Sequence, residues 1–199
     1  MADATGGAQA RRISSYLEDV RRIVAELPQE TIGQIATMIY DAYKRGRHVF
    51  AFGNGGSSAC ASHFVEDLAK GVDYGAGRPR YRALALTDSV ALITAWANDT
   101  AYDNVFVEQL RNFVEPGDIA IGISASGNSP NVLRAIELAN EVGATTIGLT
   151  GYDGGRLAKI AARSITVASD NMQRIEDAHL IVCHLIYVCL RDIEGHATL

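Results

Sequence analysis

Short apolar runs alternate with amphipathic stretches along most of this chain. Residues 11–26 and 29–45 carry apolar side chains at helical spacing, and Pro28 separates the two stretches. In the first, Ile13, Leu17, Val20, Ile23, Val24 and Leu27 recur three or four apart. From residue 48 onward the pattern predicts strands at 48–52, 81–86, 118–123, 145–150 and 164–168. Between and after them it predicts helices at 57–70, 89–97, 102–113, 130–142, 154–161 and 172–193. Strands that are short and almost wholly apolar, each followed by helix, imply a parallel sheet covered on both faces. The Gly/Arg/Pro-rich residues 71–80 read as a loop, and no linker divides the chain. The expectation is a flexible tail over residues 1–10 and a single domain over 11–199. Apolar positions between Ile175 and Leu190 cover more than one stripe of the last helix. Such a helix is buried on several sides, here by neighbouring subunits, so a homo-oligomer is expected.

Two of the apolar runs end in the same way. The run 118–123 passes into Ser124-Ala-Ser-Gly-Asn-Ser129 and then, through Pro130, into a helix. The run 48–52 passes into Gly53-Asn-Gly-Gly-Ser57 and again into a helix. A strand that stops in small hydroxyl residues before a helix forms a cup of N–H groups and hydroxyls at a positive helix end, which suits phosphate. Gly/Ser turns also end strands for steric reasons alone. The repetition points to a small phosphorylated ligand.

Composition narrows the choice. The chain has 199 residues, 48% of them apolar, and a formal net charge of −5. That length supports one core, and that charge argues against a general nucleic-acid surface. A phosphate must then be held by dipoles and N–H groups. No apolar run approaches membrane-spanning length and the start has no apolar leader, so no membrane partner is expected. Cys60, Cys183 and Cys189 are odd in number and lie in helical patterns. Reduced thiols and a cytoplasmic location follow as expectations. Cys60 near the Gly/Ser loop reads as a small buried residue.

Four side chains carry candidate chemistry. His63 and Asp67 are four apart on one helix face, and Glu176 and His184 share a broad face of the last helix. Two imidazoles and two carboxylates form a set for a divalent metal, with zinc the first candidate. The plainer readings are a surface His/Asp pair and, for His184 among Val182, Leu185 and Ile186, a core histidine. His179 competes with His184 for any role, while His48 and His196 read as structural.

The motifs taken together resemble the phosphoheptose isomerases, which are sugar-isomerase (SIS) domain proteins. The resemblance rests on Gly53-Asn-Gly-Gly-Ser57, His63-Phe-Val-Glu-Asp-Leu68, Ala97-Asn-Asp99, Ile123-Ser-Ala-Ser-Gly-Asn-Ser129, Leu149-Thr-Gly-Tyr-Asp-Gly-Gly155 and Arg174-Ile-Glu-Asp-Ala-His179, and runs over residues 16–193. It implies an α/β SIS domain, a five-stranded parallel sheet in a flavodoxin- or Rossmann-like three-layer sandwich, with N-terminal helices and a long C-terminal helix for oligomerisation. It implies a homotetramer with active sites between subunits and one Zn2+ per subunit. The implied reaction is the metal-assisted conversion of sedoheptulose 7-phosphate to D-glycero-D-manno-heptose 7-phosphate through a cis-enediol, the first step of nucleotide-activated heptose biosynthesis.

By position, the resemblance puts sugar-phosphate contacts on Asn54, Gly55, Gly56, Ser57, Asn98, Asp99, Ser124, Ala125, Ser126 and Ser129. It puts metal and acid–base residues on His63, Asp67, Glu176 and His184. Two of these depart from the family pattern, which carries Glu at the place of Asp67 and Gln at that of Glu176. The second change adds a negative charge, which favours metal retention and weakens the ion as a Lewis acid. His184 is expected to serve the substrate oxygens. The proton transfer between carbons stays open between Asp67 and Glu176, with the motif position favouring Asp67. Two other readings remain: a non-catalytic SIS protein that binds a replication initiator or senses sugar phosphates, and an isomerase of another sugar phosphate.

Overall fold

The computed structural model describes residues 2–72 and 77–195, with side chains from Gly7 onward. Residues 73–76 of the expected 71–80 loop, and His196, lie outside the described residues. The chain opens with α1 (Ala2–Ala25) and α2 (Gln29–Lys44), then β1 (His48–Gly53) and α3 (Gly56–Glu66). A π-helical turn, Asp67–Gly71, extends α3. There follow β2 (Arg82–Ala85), α4 (Val90–Asp99), a 3-10 turn at Tyr102–Asn104, and α5 (Val107–Arg111). The remainder is β3 (Ile119–Ile123), α6 (Pro130–Val142), β4 (Thr145–Thr150), α7 (Leu157–Ile160), β5 (Arg163–Thr166) and α8 (Met172–Ile193).

All strand pairings are parallel, and the sheet order is β2-β1-β3-β4-β5. The central strand β3 is buried at every position, and β1 and β4 at all but the first. Continuous burial of this kind requires helices on both faces. One face packs Val49, Ala51, Ile119, Ile121 and Ile147 against α1, α2, α3 and α8. The other packs Phe50, Phe52 and Ala120 against Val105, Phe106, Leu110, Val132 and Ile136. Each large apolar side chain buried in these layers contributes about 1.5–3 kcal/mol. Chain order reverses between β1 and β3, and in open α/β sheets the crevice at the C-terminal ends of such strands is where ligands bind.

Several boundaries differ from the sequence pattern, each for a local reason. The first helix starts at Ala2 and so takes in residues expected as a tail. The stretch 102–113 is not one helix. Val105 and Phe106 turn fully inward, and the Gln109 carboxamide donates to the carbonyls of Leu86 at 3.0 Å and Val105 at 2.6 Å. Burial and this tether override helical continuity. The helix expected at 154–161 begins only at Leu157, because Gly154 and Gly155 take φ of +84° and +54°. By contrast α6 has the expected limits, with Pro130 at its start and Gly143 closing it at φ +89°. Among the described residues, no helix is long and apolar enough to cross a membrane.

Candidate active site

A cavity of about 300 Å³ opens at the C-terminal ends of β1 and β3. It is lined by Asn54, Gly55, Gly56 and Ser57 from the first loop, and by Ile123 to Ser126 and Ser129 from the second. Met172 and Glu176, from the start of α8, close its far side. None of the lining residues is Lys or Arg. What the walls offer instead are hydroxyls and two helix N-termini, α3 and α6, that have no side-chain cap on their first residue. The Ser129 hydroxyl turns to Ser124 at 3.0 Å, and Ser124 lies 3.4 Å from Ser126. Three hydroxyls thus converge where the sequence placed the phosphate cup.

The second loop is held from behind. Leu157 N–H donates to the Gly127 carbonyl at 2.8 Å, and Arg156 N–H to Asn128 Oδ1 at 3.0 Å. Gly127 has φ +64°, and a Cβ there would strike the backbone of Gly154. In the first loop a Cβ on Gly56 would run into the Glu176 carboxylate. That glycine is what lets Glu176 reach the cavity wall.

A second cavity of about 230 Å³ adjoins the first and shares Gly56 and Glu176 with it. Cys60, His63 and Asp177 also line it. Beside it, His63 Nε2 and His184 Nε2 stand 3.1 Å apart, with Asp67 Oδ2 at 3.7 Å from the first and 3.8 Å from the second. Among the described residues these three donor atoms lie within 4.8 Å of one another. Zinc ligands at bonds of about 2.0–2.1 Å stand roughly 3.3–3.4 Å apart, so the triangle fits such an ion. Among the described residues, Asp67 Oδ2 is buried without a hydrogen-bond partner, an orphaned acceptor that a cation would satisfy. Burial raises the Asp67 pKa above its ordinary value, and the charges of His63 and His184 oppose that shift. Asp67 also opens the π-helical turn, and such turns are frequent at functional sites.

The remaining expected residues fall as follows. Glu176 is not in the three-residue donor set and belongs to the cavity wall. Asn98 and Asp99, exposed at the end of α4, do not line either cavity of the single chain. His179 is fully buried, with Nε2 3.0 Å from the Thr150 carbonyl, and burial lowers its pKa. His48 lies 3.7 Å from Asp118 at the foot of β1, away from the site. The cysteines are free, and Cys60 and Cys183 are buried with their sulfurs 3.6 Å apart. Three residues near the site carried no sequence signal of their own: Met172 on the wall, and Asn131 and Tyr102, both bonded to Asn54.

A sequence profile described as the SIS domain matches residues 15–151. A probable phosphoheptose isomerase of Thermoplasma acidophilum is 42% identical over 171 residues, covering 86% of this chain and 93% of the relative. The phosphoheptose isomerase of Aquifex aeolicus is 37% identical over 178 residues, 89% of this chain and 92% of the relative. A solved phosphoheptose isomerase from Francisella tularensis superposes with a TM-score of 0.86 at 31% identity, covering 92% of this chain and 98% of its own. The sheet order, the paired Gly/Ser loops and these likenesses converge: the chain belongs to the SIS domain family and, within it, to the phosphoheptose isomerases.

Proposed function

We propose that this protein interconverts D-sedoheptulose 7-phosphate and D-glycero-D-manno-heptose 7-phosphate, an aldose–ketose isomerisation, in the cytoplasm. One observation carries the reading: a hydroxyl-lined cup and the Glu176 carboxylate face the same cavity. Ser124, Ser126 and Ser129 take the terminal phosphate, a group of the sugar that does not itself react, and so supply binding. Glu176 removes the proton from the carbon next to the carbonyl. The electron pair moves onto the carbonyl oxygen to give a cis-enediolate, and the neighbouring hydroxyl passes its proton directly to that oxygen. Glu176 returns the carbon-borne proton to the adjacent carbon as the new carbonyl forms. The motif position favoured Asp67 for this work, but Asp67 is turned onto the two imidazoles and Glu176 lines the cavity. Proton transfer is therefore assigned to Glu176.

His63, Asp67 and His184 fit a divalent ion, with zinc the candidate, and the three-ligand set leaves a position open as catalytic sites do. When bound, the ion would supply charge stabilisation for the oxygens of the enediol. In this role His184 Nε2 faces the ion, so the oxygen-side proton work expected of it is given up. A homotetramer with sites between subunits completes the proposal, with residues 11–199 as one domain. In its support, Ile13 and Leu17 on α1, Leu185 and Val188 on α8, and Val90 and Leu92 on α4 are all exposed. Asn98 and Asp99 lie on that same α4. The test is to incubate the metal-replete protein with a panel of ketose phosphates and follow aldose formation. Conversion of the seven-carbon substrate is the expected result. Binding without turnover of any sugar phosphate would replace the isomerase reading with the sensor one.

A further inference from the structure

Asn54 is held by a chain of hydrogen bonds that begins at a backbone amide. Val132 N–H, in the first turn of α6, donates to Asn131 Oδ1 at 3.0 Å. Asn131 and Asn54 then form a reciprocal pair: Asn54 Nδ2 donates to Asn131 Oδ1, and Asn131 Nδ2 to Asn54 Oδ1, each at 2.9 Å. The Tyr102 hydroxyl donates to Asn54 Oδ1, also at 2.9 Å. Asn131 is only 2% exposed, whereas Asn54 lines the main cavity.

The polarity of this chain has one solution. A backbone N–H can only donate, so the Asn131 atom facing Val132 is the oxygen. Flipping the Asn131 amide would set two donors against each other. With Asn131 fixed, Asn54 must present its nitrogen to Asn131 Oδ1 and its oxygen to Asn131 Nδ2. Asn54 Oδ1 then has both lone pairs occupied, by Asn131 and Tyr102. Among the described residues, the one polar group left unused on the Asn54 carboxamide is its second Nδ2 hydrogen.

We propose that Asn131 and Tyr102 are positioning residues that lock Asn54 as a hydrogen-bond donor toward the cavity, so that this point of the site selects a substrate oxygen acceptor. The inference rests on the isomerase reading for the identity of the acceptor, a hydroxyl, carbonyl or phosphate oxygen of the sugar phosphate. The lock also ties the loop after β1 to the start of α6, so the two halves of the cup keep one spacing.

The test uses metal-replete protein and two variants. Asn131→Asp replaces the Nδ2 donor by an oxygen, which restores a donor only when protonated. Its affinity for sedoheptulose 7-phosphate should fall about tenfold at pH 8 and recover as pH is lowered, a limb that the wild type lacks. Tyr102→Phe, at a half-exposed position that the fold tolerates, should raise KM severalfold with kcat within twofold. Side-chain amide exchange in labelled wild-type protein supplies a ligand-free readout: the Asn54 Nδ2 hydrogen bound to Asn131 Oδ1 exchanges slowly and the other fast. Wild-type protein that shows the unequal exchange but neither binds nor converts the sugar phosphate would sink the isomerase reading and leave the lock standing. Equal exchange of the two hydrogens, or variants that lose thermal stability with unchanged KM and pH profile, would overturn the lock itself.

Discussion

His63 Nε2 and His184 Nε2 face each other at 3.1 Å, although the two residues are 121 positions apart in the chain. Two neutral imidazoles so placed can share one hydrogen, while a cation would engage both lone pairs together with the orphaned Asp67 oxygen. The purified protein should carry about one divalent ion per subunit. His63→Ala and His184→Ala should each strip it, while Ser124→Ala should retain it. Elemental analysis decides. Metal-free wild type whose turnover ignores a strong chelator would exclude the site.

The cup makes a separate prediction. Ser124→Ala combined with Ser126→Ala removes two hydroxyls from the cup proposed to hold the non-reacting phosphate. KM for the sugar phosphate should rise by on the order of tenfold or more, with kcat little changed, because such contacts act equally in ground and transition states. Steady-state kinetics at saturating metal measure it. A variant with normal KM and a lowered melting temperature would make the serines a structural turn only.

The division of labour between the two carboxylates can be read from one pair of variants. Glu176→Gln should lower kcat by about 10²–10⁴-fold, the range of general acid–base catalysis, and leave the bound ion in place. Asp67→Asn should lose metal affinity first, with activity regained at high metal concentration. An active Glu176→Gln enzyme would return proton transfer to Asp67.

His179 links stability to pH. Burial lowers its pKa below the ordinary value of about 6.5, so below that pH the unfolded chain binds a proton that the folded one refuses. The stability it contributes therefore declines as pH falls below about 6.5 and is constant above. His179→Gln retains a donor for the Thr150 carbonyl but does not titrate. Melting curves between pH 7.5 and 5 should show the variant gaining on the wild type as pH drops. A constant gap across that range would refute the assignment.

Much of the architecture is decided locally, and there the sequence suffices. Helix α6 and the final helix α8 have the limits that Pro130, Gly143 and the apolar spacing of 172–193 predict. The buried strands were legible because nearly every residue in them is apolar. The Gly/Ser loops were legible because only small residues let a strand turn so tightly into a helix, and the structure places both on one cavity.

Other features are decided by what lies opposite. Nothing local says that the helix expected at 154–161 must wait until Leu157. The reason is the backbone of the 124–129 loop packed against Gly154 and Gly155. Nor does spacing on α8 separate His179 from His184. Both suit a helix face, but one turns into the Thr150 carbonyl beneath the sheet and the other across to α3. A parallel α/β fold with two Gly/Ser loops at strand ends is legible in the chain because strand, turn and helix signals are local. Packing between distant elements sets which carboxylate lines the cavity and which faces the histidines. Those choices depend on the distance between side chains from separate elements, set by how α3 and α8 pack on the sheet.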